Sequence, residues 1–218
     1  MKKLLLSILA IATLSVSANA QEDSTTDVKK WQARFRVITV VPNESATIEA
    51  IGGDVEISTA VMPELDFTYF FNDNWSAELI LGTTKHDANT ISSDLSPIDG
   101  PVDADVDLGS VWLLPPTLTL QYHFATEGFR PYLGAGLNYT IFYGVDEGDV
   151  VDVEYDNAVG FAFQGGFDYD LNEKWFLNLD VKQILLSTDV KVDAGAAVVG
   201  ADVDINPLII GFGVGMKF

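Results

Sequence analysis

Polarity alternates with a period of two along much of this chain, in eight separate stretches of roughly ten residues. In Trp31–Val41, Phe35 and Val37 share one face while Arg34 and Arg36 share the other. In 60–71, Leu65, Phe67, Tyr69 and Phe71 alternate with Asp66 and Thr68. In 75–85, Trp75, Ala77, Leu79 and Leu81 alternate with Ser76 and Glu78. The same reading gives strands over 112–124, 130–143, 157–170, 175–187 and 204–218. Successive side chains of a strand point to opposite faces, so each stretch has one greasy and one polar side. The connections alternate in length. Asn72-Asp73-Asn74, 125–129 and 171–174 are tight turns, whereas 42–59, 86–111, 144–156 and 188–203 are long links.

Alternation alone also fits a soluble sandwich, whose greasy faces pack inward. The placement of aromatics favours the opposite orientation. Tyr69, Phe71, Trp75, Tyr122, Phe124, Tyr169, Trp175 and Phe218 stand near strand ends on the apolar faces, where a membrane barrel carries its interfacial girdles. The other faces carry Gly, Asn, Gln, Thr and charges, suited to a narrow lumen. After the N-terminus no apolar run reaches the ~18 residues of a spanning helix, whereas a membrane strand needs only about 9–11. The expected fold is all-β: an eight-stranded antiparallel transmembrane β-barrel with short periplasmic turns and long extracellular loops. An even strand count places both ends of the barrel on the periplasmic side.

Export agrees with this. Lys2 and Lys3, the apolar run 4–16 and Ala18-Asn19-Ala20 have the order of a secretory signal peptide, expected over 1–20, with the barrel domain over 21–218. The destination is then the cell outer membrane. The chain has no cysteine, so neither disulfides nor thiol chemistry are expected. Its formal charge is −20, and loss of Lys2 and Lys3 shifts it two units further, to about −22. Nucleic acid is excluded as a partner, because phosphate binding needs clustered Lys and Arg. The acidity concentrates in the long links. Asp103, Asp105 and Asp107 have the alternate spacing of a calcium loop, but the Gly and terminal Glu it requires are out of register. A solvated acidic surface is expected, with no metal and no cofactor. Asn138-Tyr139-Thr140 matches a glycosylation sequon, but it falls inside an expected membrane strand.

Several fragments, in their order and spacing, resemble the OmpW family of outer-membrane proteins. They are Val61-Met62-Pro63-Glu64-Leu65 with Tyr69-Phe70-Phe71, Asn74-Trp75-Ser76-Ala77-Glu78-Leu79, Leu114-Pro115-Pro116-Thr117-Leu118 with Gln121-Tyr122-His123-Phe124, 129–140, and the Gly-rich ending at Phe218. The resemblance implies a narrow, partly apolar channel that gives small hydrophobic molecules passive passage with a lateral exit into lipid. It also implies outer-membrane lipid and lipopolysaccharide as surroundings, and phage or bacteriocin as candidate loop partners. The alternative is a non-transporting structural or interaction barrel whose acidic loops bind a partner. Phe218, with Phe212, Val214 and Met216 alternating before it, resembles the signal read by the barrel-assembly machinery.

Two groups of inward residues are candidates for function. Ile38, Phe70, Ile80, Phe142, Phe176 and Ile184 are apolar where a water-filled pore would not need them, and are the candidate channel lining. In the resemblance Ile80 falls near the constriction. Arg34, Arg36, Asp66, Glu78, His123, Asp168, Asp180, Lys182 and Lys217 are the candidate luminal charge network, because unpaired charges in a small lumen are costly. No nucleophile stands beside a base, so no catalytic residues and no enzymatic activity are expected.

Overall fold

The structure, a computed structural model, describes residues 30–98, 100–124 and 126–218. The expected signal peptide lies outside the described residues. Fifteen strands occur among those described: β1 Trp31–Val41, β2 Ser45–Ile48, β3 Asp54–Ile57, β4 Ala60–Phe70, β5 Trp75–Gly82, β6 Thr84–Ser93, β7 Ala104–Leu114, β8 Thr117–His123, β9 Phe129–Asp146, β10 Asp152–Tyr155, β11 Ala158–Asp170, β12 Trp175–Leu185, β13 Ser187–Asp193, β14 Val198–Asp204 and β15 Leu208–Lys217. One 3₁₀ turn, Ser96–Ile98, lies between β6 and β7.

Eight of these strands close on themselves in the order β11-β12-β15-β1-β4-β5-β8-β9, with β9 returning to β11. Every pairing is antiparallel. Closure gives each barrel strand two hydrogen-bonded neighbours, the condition for leaving no backbone donor facing lipid. The short turns gather at one end. There Trp31 and Phe218 exchange backbone hydrogen bonds at 3.1 and 2.9 Å, so the first and last strands meet on the periplasmic side.

The other seven described strands form a collar above the opposite end. β7, β6 and β3 continue the barrel sheet upward from β9, while β10-β13-β14-β2 make a separate four-stranded sheet. The long links are therefore stranded over much of their length. This also corrects the expected strand 112–124. The chain breaks at Pro115-Pro116, leaving Trp112 in β7 and the barrel portion in β8. Proline supplies no N–H to a ladder, so two in succession interrupt it. Likewise 75–85 divides into β5 and β6 at Thr83, and Asp204 belongs to β14 rather than to the last barrel strand.

The outer surface of the barrel is greasy. Phe35, Leu65, Leu79, Leu118, Leu137, Phe161, Leu179 and Phe212 point outward among many similar residues, with Phe161 60 % exposed. An apolar band of this extent is sustained only against lipid. At the short-turn end a ring of aromatics closes the band. Trp31 lies 4.8 Å from Tyr69, Trp75 5.1 Å from Tyr122, and Phe129 4.9 Å from Phe167, centroid to centroid. Trp112 and Tyr143 stack at 6.3 Å toward the opposite end.

Inside, β15 contributes Gly211, Gly213 and Gly215 at alternate positions. A Cβ at Gly215 would run into the ring of Phe176, which is fully buried. Gly215→Ala is expected to destabilise the barrel by about 1–3 kcal/mol through overpacking. The measurement is the urea midpoint of the refolded barrel in lipid vesicles, and an unchanged midpoint contradicts this packing.

Candidate functional site: a sealed charge cluster beneath an apolar cavity

The inward positions change character along each strand. On β1, Gln32, Arg34 and Arg36 give way to Ile38 and Val40. On β12, Phe176, Asn178, Asp180 and Lys182 give way to Ile184, with Leu186 beyond the strand end. On β5, Ser76 and Glu78 precede Ile80. The lumen is consequently polar and charged in its lower part and apolar above.

In the lower part Arg34 is completely buried. Its Nη1 donates to Glu78 Oε1 at 2.6 Å, Thr68 Oγ1 at 2.7 Å and Asp66 Oδ1 at 3.1 Å, and its Nη2 donates to Asp168 Oδ2 at 3.3 Å. The guanidinium also sits 5.6 Å from the ring centroids of both Tyr132 and Phe176. Arg36 Nη2 lies 2.8 Å from Asp66 Oδ2 and 2.9 Å from Glu64 Oε1, while its Nη1 lies 3.6 Å from Asp180 Oδ1. Glu78 Oε2 accepts from Gln121 at 2.6 Å and Gln164 at 2.7 Å, and Tyr132 donates to Asp180 at 2.7 Å. Lys182 donates to Glu64 Oε2 at 3.3 Å. Residues from seven barrel strands thus meet at the axis. Charge pairs out of water recover their desolvation cost only through dense mutual pairing; Arg34 has it through hydrogen bonds, and Arg36 through ion pairs with Glu64, Asp66 and Asp180.

Seven of the nine expected network residues are gathered here: Arg34, Arg36, Asp66, Glu78, Asp168, Asp180 and Lys182. Lys217 lies apart, nearer the periplasmic opening, with Nζ 2.6 Å from Asp170. His123 joins a polar and aromatic pocket instead. Its Nε2 is 3.0 Å from Gln121 Oε1 and 3.1 Å from Ser76 Oγ, and its ring packs 4.7 Å from Phe70 and 5.1 Å from Tyr132. Sequence reasoning missed Glu64 and Tyr132. Each shares the inward parity of a residue already recognised, Glu64 with Asp66 and Tyr132 with Phe142.

Above the cluster lies a cavity of about 310 Å³. Ile38, Ile80, Phe142 and Ile184 line it, as expected, together with Val40, Val190 and Val203. Phe70 and Phe176 do not. Both are buried, but they stand on the periplasmic side of the charges, Phe70 against His123 and Phe176 beneath Arg34 and 5.8 Å from Lys217 Nζ. Lys182 and Glu64 border the cavity from below. In the collar the acidic side chains cap the backbone. Asp54 Oδ1 accepts from the Ala46 N–H at 2.8 Å and Glu44 Oε1 from the Ile57 N–H at 2.8 Å. Asp105 and Asp107, two of the calcium-like carboxylates, accept from the Ser92 and Gly109 N–H groups.

At the height of the cavity floor the wall is interrupted between β5–β6 and β7–β8. Between β5 and β8 the ladder stops at Ile80–Thr117, and between β6 and β7 it resumes at Thr84–Leu113. Leu81, Gly82 and Thr83 there face Leu114, Pro115 and Pro116, and Thr83 Oγ1 donates across to the Leu113 carbonyl at 3.0 Å. Pro115 and Gly82 border the cavity itself.

A closed, greasy-sided, eight-stranded barrel with a polar interior defines an outer-membrane β-barrel protein. A family model described as the OmpW family matches residues 29–218. The chain belongs to the OmpW family. It is 42% identical over 205 residues to the uncharacterized outer-membrane protein y4mB of Sinorhizobium fredii, covering 92% of this chain and 85% of the relative. It is 36% identical over 197 residues to outer membrane protein W of Vibrio cholerae, covering 85% and 87%. The dibenzothiophene metabolism operon protein PahQ of Pseudomonas aeruginosa is 28% identical over 194 residues, covering 86% and 88%. Among solved structures, the outer membrane protein OprG of Pseudomonas aeruginosa superposes with a TM-score of 0.76 at 27% identity, covering 88% of this chain and 96% of that one. The protein is an outer-membrane protein.

Two outcomes are expected. Arg34→Leu leaves Asp66, Glu78 and Asp168 short of a partner and should cost about 3–5 kcal/mol, whereas Lys85→Ala, which loses an exposed pair with Asp146, should cost less than about 1 kcal/mol. Denaturant midpoints in vesicles check both, and equal losses would contradict the assignment. In the collar, burial lowers the pKa of His86 below its ordinary value, although the Ser58 carbonyl accepts from Nδ1 at 2.6 Å and Asp87 and Glu44 are near. The unfolded chain therefore takes up this proton at a higher pH than the folded one. Collar stability from this group is complete above about pH 6.5 and declines as pH falls toward the depressed value. Amide exchange in β3 and β6, corrected for its intrinsic pH dependence, should accelerate below that pH, and His86→Gln should flatten the trend.

Proposed function

We propose that the barrel gives passive passage to small hydrophobic molecules, without energy coupling and without catalysis. One observation carries this reading: an apolar cavity in the extracellular half ends on a sealed charge cluster and borders the proline-interrupted seam in the wall. A solute entering through the collar meets Ile38, Ile80, Phe142 and Ile184. Continuing along the axis would require breaking the Arg34 and Arg36 pairs, which costs far more than an apolar solute gains there. Sideways, the seam at Gly82, Pro115 and Pro116 faces lipid, so the exit is lateral. The names of relatives support the substrate class, since PahQ is tied to the metabolism of dibenzothiophene, an uncharged fused aromatic. A closed interaction barrel would need the charge cluster but has no use for a greasy cavity that reaches a break in its ladder. Assembly in this membrane would use Phe218 and the alternating apolar residues before it as the signal for the barrel-assembly machinery.

Ile80→Asp places a carboxylate among apolar lining residues and should slow uptake of a hydrophobic probe by at least about tenfold, equivalent to about 1.4 kcal/mol of added barrier. Uptake of N-phenylnaphthylamine into vesicles with a lipopolysaccharide outer leaflet is the measurement, with steady ionic conductance expected to stay near that of bare bilayer. Equal uptake with and without the protein would remove the transport reading.

A further inference from the structure

The cavity is greasy in its walls but not in its floor. Lys182 of β12 and Glu64 of β4 reach toward each other there, Nζ to Oε2 at 3.3 Å, and their side chains are only 1% and 5% exposed. Both border the cavity, with Ile38, Ile80 and Ile184 around them. An ammonium has three donors. Among the described residues the hydrogen-bond partner of Lys182 Nζ is Glu64 Oε2, through that single long bond. The other Glu64 oxygen lies 2.9 Å from Arg36.

This end of the cavity therefore offers donor capacity and a carboxylate acceptor, side by side, at the foot of an apolar shaft. A pure hydrocarbon fills the shaft but leaves the floor unanswered, and an unmet buried polar group costs about 1–3 kcal/mol. A hydroxyl answers both groups at once, its oxygen accepting from Lys182 and its proton going to Glu64. An anionic head is disfavoured. It would stand beside Glu64 and above Asp66, Glu78 and Asp180, in a cluster where Arg34, Arg36 and Lys182 are outnumbered by carboxylates. At roughly 30 Å³ for each water-sized group, the cavity holds about ten methylene-sized units.

We propose that Lys182 and Glu64 form a head-group subsite, and that the cavity takes uncharged amphiphiles with a hydroxyl head and an apolar tail of about ten carbons or fewer in preference to hydrocarbons. This rests on the reading of the cavity as a solute site and names the chemistry it selects. Lys182 acts on specificity, and the tail contacts supply the rest of the affinity.

The test uses the refolded barrel in lipid nanodiscs, with the isoleucine methyl groups of Ile80 and Ile184 followed by NMR during titration with 1-octanol, octane or octanoate. Affinities are referred to the ligand concentration in the lipid phase, so that partitioning cancels. The native chain should bind 1-octanol at least about tenfold more tightly than octane. In Lys182→Met the two should fall within about twofold, as 1-octanol loses its donor and octane no longer leaves an ammonium unanswered. Because Lys182→Met alone leaves Glu64 with one partner fewer, the double variant Lys182→Met with Glu64→Gln removes the pair together and should give the same loss of preference. Equal binding of 1-octanol and octane to the native chain, survival of the preference in both variants, or tighter binding of octanoate than 1-octanol would each overturn the head-group subsite. Failure of octane as well as 1-octanol to shift Ile80 and Ile184 would instead overturn the cavity as a solute site.

Discussion

Closure of the backbone ladder in lipid governs everything else in this molecule. A strand edge facing hydrocarbon would leave a row of N–H and C=O groups without partners, so the sheet must return to its own first strand. β9 meeting β11 completes that return. Once the ring is closed, each residue has only two places to go, outward to lipid or inward to a narrow lumen. The outward set becomes the apolar band with its aromatic rim. The inward set has too little room for bulk water in its lower part and must satisfy itself. Arg34 does so with three carboxylates and Thr68.

The same inward faces then do two different things at two heights. Where Arg36 is followed by Ile38, Glu78 by Ile80 and Lys182 by Ile184, the interior passes from mutually bonded charges to apolar side chains. That change sets the cavity floor without any element crossing the lumen. The plug is made of barrel wall side chains alone, so it cannot swing aside as a lid does. Its opening would mean parting ion pairs that are fully desolvated. The seam beside Pro115 requires no such rupture, because its ladder is already interrupted.

The barrel was legible in the sequence because a two-residue period is written into each strand. β1 has the expected bounds, and tight turns fall at Asn72-Asp73-Asn74 and at 171–174 as expected. The break inside 112–124 was hidden from periodicity for a physical reason. Leu113 and Thr117 both point inward and Leu114 and Leu118 both outward, so parity runs unbroken through the prolines. Only the missing N–H groups of Pro115 and Pro116 mark the place. The collar was hidden because its alternation has the opposite sense. In β13 and β14, Val190, Val199 and Val203 face inward while Asp189 and Asp202 face out, as suits strands standing in water above the membrane. Height was the other missing quantity. Parity places Phe70 and Phe176 in the lumen, but only the register shows them below the charges, away from Ile38 and Ile80.

Register also explains why the floor and the seam belong together. Glu64 pairs with Gly82, and Gly82 stands opposite the proline pair. Pro63, next to Glu64, removes one more N–H from the same neighbourhood. The boundary between charge and grease thus coincides with the part of the wall least tied by backbone bonds. A molecule whose tail fills the shaft has its leading end at Glu64 and Lys182, beside a stretch of wall where lipid lies behind an incomplete ladder. Moving the charges one inward position higher, to Ile38 and Ile184, would close the cavity below the seam's rim. Moving them one lower would let apolar solute sink beneath the seam, where β5 and β8 are fully paired from Ile80–Thr117 downward. The height of the charge cluster is therefore what couples a greasy cavity to a sideways exit.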